Sequence, residues 1–139
     1  MIYISSDHVF DGKNGPYNTS DKINPLTRYA KSKAAGELAV RVYDKSLVVR
    51  TSFCGTEFPF DTAYTDKWTS QDYIDKLAPK ILKKCLSEET GICHVGHPRR
   101  SFYDLAKERN KNINKGSVSE IIAKSTVPIL IDTSLIIER

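Results

Sequence analysis

Cysteine is scarce in this chain, and the three cysteines that it has lie far apart. They are Cys54, Cys85 and Cys93, and no two of them form a Cys-x-x-Cys pair. This pattern argues against a disulfide framework or a zinc site and fits a reducing, cytoplasmic compartment. No apolar run approaches the about 20 residues of a membrane-spanning helix, and no secretory signal pattern opens the chain. We therefore expect a cytoplasmic protein without a membrane partner.

A large excess of charge of one sign is also missing. The net charge is only +4, and the most basic stretch, residues 107–115, has no aromatic residues between its basic ones. Such a stretch is typical of a solvated surface rather than of a nucleic-acid interface. His94 and His97 have no acidic partner at ligand spacing, so we expect no metal site. The composition therefore excludes no enzyme class but offers no support for a nucleic-acid or metal-binding protein.

A Gly-rich nucleotide-binding turn is the most informative absence, because none precedes the first predicted strand. The 139 residues, 40% of them hydrophobic, suffice for one domain with a core. The β-branched and aromatic start at residues 1–5 predicts a strand, and residues 46–51 predict another. Between them, Asn24 as N-cap and Pro25 as first residue predict a helix that ends near Val42. This order predicts a right-handed βαβ unit with parallel strands and hence an α/β fold.

The second half of the chain gives weaker patterns. Residues 53–69 are expected to form a loop, and residues 70–86 a helix that Pro79 should kink or split. A strand is predicted at residues 92–95 and a helix from Ser101. Residues 127–131 fit either a strand or an extended tail.

Tyr29 and Lys33 are the residues with the clearest chemical meaning. Residues four apart share one helix face, so the phenol and the ammonium should lie side by side. The ammonium favours the phenolate, which suits the phenol to proton transfer near neutral pH, as carbonyl reduction requires. The same spacing recurs at Tyr103 and Lys107, so spacing alone favours an exposed helix pair over a catalytic one. Only the first pair follows a strand that ends in hydroxyls and precedes a second parallel strand, where ligands usually bind.

An ordered series of motifs surrounds this pair. The series consists of Ser5–Gly12, Gly15–Tyr17, Asn24–Leu26, Tyr29–Lys33, Gly36–Glu37 and Arg50–Ser52, with weaker signals at Gly91–Val95, Ser101–Ala106 and Thr133–Leu135. It resembles the extended short-chain dehydrogenase/reductase superfamily, and within it the dTDP-4-dehydrorhamnose reductases. The resemblance implies a partial Rossmann-like fold, a doubly wound parallel sheet without its first βαβ units, followed by a small α/β substrate-binding portion.

The resemblance also implies a role for each matching residue. Ser6 would bind the substrate carbonyl, Tyr29 would donate a proton to the C4 oxygen of the sugar, and Lys33 would bind the nicotinamide ribose. Tyr29 would also contact the cofactor, and Thr51 and Ser52 would lie near the nicotinamide of NADP or NAD. The residues expected on the sugar-nucleotide side are Asp7, His8, Val9 and Phe53. His8 stands where many relatives carry an aromatic residue.

The resemblance leaves more than one function open. As a reductase of 4-keto sugar nucleotides, the chain would need a Gly-rich half, roughly 90 residues at ~30 per βαβ unit, from a separate chain or through an oligomer. As a non-catalytic interaction protein, it would act like the regulatory β subunit of methionine adenosyltransferase, which has a similar Ser-Ser-Asp-x-Val-Phe-Asp-Gly stretch. A decayed or split gene product without a function of its own is the third interpretation.

Overall fold

A three-stranded parallel sheet carries the architecture of the computed structural model, which describes residues 1–137. In chain order its elements are β1 (Ile2–Ser6), α1 (Arg28–Val40), β2 (Leu47–Thr51), β3 (Phe53–Cys54), β4 (Thr62–Tyr64), β5 (Trp68–Thr69), β6 (Asp72–Tyr73), α2 (Ile74–Cys85), β7 (Gly91–Val95), β8 (Arg100–Ser101), α3 (Phe102–Lys107), β9 (Asn114–Gly116) and α4 (Ser119–Ile122). The sheet order is β1-β2-β7. Ile2 pairs with Leu47, and Leu47 with Gly91. The predicted parallel α/β arrangement is therefore confirmed.

The two faces of this sheet bury different kinds of side chain, because successive residues of a strand point to opposite faces. One face is apolar: Leu47 and Val49 of β2 pack with Leu77 of α2 and with Cys93 and Val95 of β7. The other face carries Ser5, Arg50 and His94, all buried, and packs against α1. Polar groups thus lie directly beneath the helix that carries Tyr29 and Lys33.

Helix α1 begins three residues later than Asn24 and Pro25 predicted. Thr27 is the N-cap, and its hydroxyl accepts a hydrogen bond from the Ala30 N–H at 3.1 Å. Asn24 does not cap the helix because its side chain donates to Asp11 at 3.0 Å and so ties down the preceding loop. The prediction of the cap was therefore wrong, whereas the helix itself is present and ends two residues before Val42.

Helix α2 begins at Ile74 instead of Ser70. The Ser70 hydroxyl instead bonds both the carbonyl and the N–H of Leu135, and Asp72 and Tyr73 pair with β3. Pro79 lies within the helix and does not split it. The loop predicted over residues 53–69 contains three short strands, β3 to β5, each paired with a distant segment.

The predicted strand at residues 92–95 and the helix near Ser101 are confirmed as β7 and α3. Residues 127–131 belong to no strand. They run as an extended segment whose Ile131 N–H donates to Gly12 at 3.2 Å and whose Ile131 carbonyl accepts from Trp68 at 2.7 Å. The C-terminal segment thereby closes over the loops that follow β1 and precede β5.

Candidate active site

The carboxyl ends of β1 and β2 and the first turns of α1 surround a cavity of about 250 Å³. Its lining contains eight of the nine residues predicted for the site: Ser6, Asp7, His8, Tyr29, Lys33, Thr51, Ser52 and Phe53. The ninth, Val9, lies elsewhere, because it is fully buried in an apolar cluster with Phe10, Tyr17 and Leu135. Val9 therefore supports the wall behind the cavity and does not face it.

Ser6 ends β1 and is held by two hydrogen bonds. Its hydroxyl accepts from the His8 N–H at 3.1 Å, which caps the short 3-10 turn of residues 7–9. The same hydroxyl donates to the Asp7 carboxyl at 3.1 Å. These bonds fix the Ser6 oxygen at the floor of the cavity.

Tyr29 and Lys33 form the helix wall of the cavity. Tyr29 is 54% exposed, and its ring meets the His8 ring edge-on with centroids 6.1 Å apart. The Lys33 ammonium lies 6.0 Å from the centre of the Tyr29 ring and donates to the Ile4 carbonyl at 3.0 Å. An ammonium has three donors, so this bond leaves donors for a ligand.

Asp7 is the most deeply buried ionisable group of the cavity, at 1% exposure. Burial raises the pKa of the Asp7 carboxyl, and the neighbouring His8 and the hydroxyls of Thr133, Ser6 and Ser52 oppose that rise. Lys67 adds a cation close by: burial lowers the pKa of Lys67, and the Asp7 charge opposes this. The carboxyl at the floor of the cavity is therefore harder to ionise than an exposed one, because burial removes water from its charged form.

Thr51 shows a further signature of a binding site. Its hydroxyl is buried, and no hydrogen-bond partner for it exists in the part of the chain that the structure describes. Buried polar groups are nearly always paired, so an unpaired hydroxyl that borders a cavity suits a polar group of a ligand. Thr51, Tyr29 and Lys33 bring two hydroxyl groups and an ammonium to one cavity, which suits hydrogen bonding to a polar ligand such as a dinucleotide. Residues 1–137 show no Gly-rich turn that would hold its pyrophosphate.

A network of polar side chains beneath the cavity joins the three elements that carry it. Glu37 of α1 accepts two hydrogen bonds from Arg50 of β2, at 2.9 and 2.8 Å, and one from Ser5 of β1 at 2.5 Å. Glu37 and Arg50 are 1% and 2% exposed. Ser5 and Arg50 directly precede Ser6 and Thr51, so the network fixes the strand ends relative to the helix.

Lys67 is a neighbour of Asp7 that sequence reasoning missed, because it comes from a loop far along the chain and belongs to no motif. Thr133, which acts on Asp7 through its hydroxyl, belongs to the weak C-terminal motif Thr133–Leu135. Lys67 also borders a second cavity of about 470 Å³ with an aromatic lining that includes Phe58, Phe60 and Phe102. The aromatic content of residues 53–69 was the one available signal for this cavity.

Two further classes of site find no support in residues 1–137. These residues contain no group of three or more His, Cys, Asp or Glu side chains that could hold a metal ion. No helix among them is long and apolar enough to cross a membrane, the longest having 13 residues.

The parallel sheet with helices packed against it defines a Rossmann-like α/β protein, and Ser6, Tyr29 and Lys33 lie at the carboxyl edge of that sheet. Residues 1–57 match the family described as the RmlD substrate binding domain. The dTDP-4-dehydrorhamnose reductase of Aggregatibacter actinomycetemcomitans is 34% identical over 130 residues, which cover 76% of this chain and 44% of that protein. The chain is thus similar to a part of the dTDP-4-dehydrorhamnose reductases.

Solved structures agree with this assignment. A hypothetical dTDP-4-dehydrorhamnose reductase from Sulfolobus tokodaii matches 96% of this chain and 54% of its own, with 30% identity and a TM-score of 0.77. The dTDP-4-dehydrorhamnose reductase of Bacillus anthracis, solved in complex with NADP, matches 99% of this chain and 57% of its own, with 25% identity and a TM-score of 0.77.

A second kind of relative is more similar in sequence. Methionine adenosyltransferase 2 subunit beta of Danio rerio is 60% identical over 103 residues, which cover 73% of this chain and 28% of that protein. The chain spans less than half the length of either curated relative.

Proposed function

We propose that this chain carries the proton-transfer and substrate-binding part of a reductase that acts on 4-keto sugar nucleotides with NADPH or NADH. The observation that carries the proposal is the single cavity lined by Ser6, Tyr29 and Lys33 at the carboxyl edge of the sheet. The bound nicotinamide would supply the hydride. Ser6 holds the substrate carbonyl, Tyr29 donates the proton to its oxygen, and Lys33 holds the ribose hydroxyls.

The remaining residues of the cavity fit the same proposal. Thr51 and Ser52 lie on the β2 side, where they would contact the nicotinamide end. Asp7, His8 and Phe53 border the part of the cavity assigned to the sugar nucleotide. Val9 takes no part in this proposal, since its side chain is buried behind the cavity wall.

Calorimetric titration of the purified chain tests the binding half of this proposal. NADPH and then NADH are titrated with and without a dTDP-sugar, and micromolar affinity is expected for one of the two cofactors. No binding of either would mean that this chain alone is not a reductase, and that a Gly-rich half from another chain must be sought.

Tyr29→Phe tests the chemical half. We expect cofactor binding to be retained and turnover to fall by about 10²- to 10⁴-fold, the usual contribution of a positioned proton donor. Tyr103→Phe is the matched control, because Tyr103 has the same spacing to its lysine but packs against an apolar cluster away from the cavity. Unchanged turnover in Tyr29→Phe would contradict the assignment.

The second candidate function is that of a non-catalytic subunit, favoured by the 60% identity to a methionine adenosyltransferase 2 subunit beta. The chain would then bind a methionine adenosyltransferase catalytic chain and alter its activity. Sedimentation of the mixed proteins measures that binding. In this case Tyr29→Phe should leave both binding and the partner's activity unchanged, which separates the two candidates.

A further inference from the structure

The Ser6 hydroxyl has a conflict in its hydrogen bonding that the proposed function makes important. A hydroxyl has one proton to donate and two lone pairs that accept. Ser6 accepts from the His8 N–H, and it donates its proton to Asp7. While the Ser6 O–H donates its hydrogen bond to Asp7, it cannot donate one to a substrate carbonyl, and a carbonyl can only accept hydrogen bonds.

The surroundings of Asp7 show which groups decide its charge. His8 follows it on the same 3-10 turn, and Lys67 approaches from the loop before β5. The hydroxyls of Ser6, Ser52 and Thr133, which do not titrate, also act on the carboxyl, and Tyr29 and Lys33 of α1 line the same cavity. Because the Asp7 side chain is buried, its charged form loses hydration that these neighbours must replace.

We propose that Asp7 is a positioning residue that sets the direction of the Ser6 hydroxyl and thereby decides when the site can hold a carbonyl. An ionised Asp7 accepts the hydrogen bond of the Ser6 O–H, so this O–H cannot donate a hydrogen bond to the substrate. A protonated Asp7 donates to the second lone pair of the Ser6 oxygen, so the Ser6 proton turns toward the cavity. This inference rests on the proposed role of Ser6 in binding a carbonyl substrate.

The first test needs no substrate. Aspartate carboxyl ¹³C signals are assigned and titrated by NMR in the wild-type chain and in Ser6→Ala. Because the Ser6 hydrogen bond lowers the pKa of Asp7, its removal should raise that pKa. An Asp7 titration that Ser6→Ala leaves unchanged would overturn the inference, whatever the chain binds.

The second test compares two ligands that differ at one atom, a dTDP-4-keto-6-deoxy sugar and the corresponding C4 alcohol. The wild-type affinity for the ketone should weaken by about three- to tenfold as pH rises through the Asp7 titration, the usual worth of one hydrogen bond. The alcohol can also accept or donate, so its affinity should change less.

Asp7→Asn completes the test, because its amide cannot ionise but can still donate to Ser6. Its ketone affinity should be independent of pH over the same range, whereas Asp44→Asn should keep the wild-type profile. A pH dependence that persists in Asp7→Asn contradicts the inference. If neither nucleotide sugar binds at any pH, the proposed function fails, and the NMR titration alone decides the link between Asp7 and Ser6.

Discussion

Glu37 brings a negative charge into the interior between α1 and the sheet. Its carboxylate takes a bidentate pair of hydrogen bonds from Arg50 and a third bond from Ser5, and both charged groups are almost wholly buried. A buried pair of this kind adds little net stability over an apolar pair, yet removal of one partner is costly because the other charge stays buried alone. Its value here is geometric, since it joins β1, α1 and β2 beneath the cavity.

Glu37→Ala should therefore lower the free energy of unfolding by about 3–5 kcal/mol, because the Arg50 guanidinium is left without a counter-charge. Chemical denaturation measures the change. Glu88→Ala, which removes the same group from an exposed position, should change stability by less than about 0.5 kcal/mol. Equal effects of the two substitutions would mean that water or another group replaces the Glu37 carboxylate.

His94 gives a pH dependence of stability with a definite sign. Burial lowers the pKa of His94 from 6.5 to about 4, and the Arg50 charge adds to that effect. Above pH 6.5 the imidazole is neutral in both the folded and the unfolded chain. As pH falls from 6.5 toward 4, His94 binds a proton in the unfolded chain but stays neutral in the folded chain. The free energy of unfolding therefore decreases over this pH range.

The full shift of the His94 pKa corresponds to a loss of about 3 kcal/mol in the free energy of unfolding, and chemical denaturation at a series of pH values measures this loss. His94→Gln should remove this component, so the difference in stability between the variant and the wild-type chain should shrink or reverse between pH 6.5 and 4. Parallel pH profiles of the two proteins would show that His94 already titrates normally in the folded state.

At the scale of single residues, the site could largely be predicted because its residues are close in sequence to the ends of elements. Ser6 and Thr51 end strands, and Tyr29 opens a helix, so a parallel βαβ order already brings them together. Val9 is buried outside the cavity lining, and no local pattern shows whether a residue of a 3-10 turn faces the cavity or the core. Lys67 approaches through long-range packing, which leaves no trace in local spacing.

At the scale of elements, the strands of the central sheet were predictable for a simple reason. An apolar run such as residues 47–49 is buried on both faces of the sheet, which favours a parallel sheet. The short strands β3 to β6 and β8 were not predictable, since each has two or three residues and owes its pairing to a distant partner. The start of a helix depends on which polar side chain is available to cap it. Here the Asn24 side chain is bound to Asp11, so Thr27 caps α1.

The cap of α1 can be tested with these two residues. Thr27→Ala removes the hydroxyl that binds the Ala30 N–H and should cost about 1 kcal/mol of stability. Asn24→Ala removes only an exposed bond to Asp11 and should cost less. Denaturation of both variants gives the comparison. A larger loss in Asn24→Ala would favour the cap that the sequence predicted.

At the scale of the whole molecule, the β1 edge of the sheet is open to another chain. β1 pairs with β2 alone, so the other edge of β1 has no strand beside it in the described part of the chain. Met1 and Ile2 are 65% and 45% exposed there. The Lys33 ammonium donates a hydrogen bond to the Ile4 carbonyl, so this backbone group of β1 already has a partner. An open apolar edge of this kind invites pairing with another chain.

We therefore expect the purified chain to self-associate or to require a partner, and Ile2→Lys should weaken that association, because a charged side chain on an edge strand opposes strand pairing. Sedimentation velocity over a range of concentrations measures the effect. Leu82→Lys, which makes the same change at a 57% exposed position of α2, should leave association unchanged. A wild-type chain that stays monomeric at all concentrations would show that β1 needs no neighbour. If the two substitutions weaken self-association equally, the association depends on exposed apolar surface in general and not on the edge of β1.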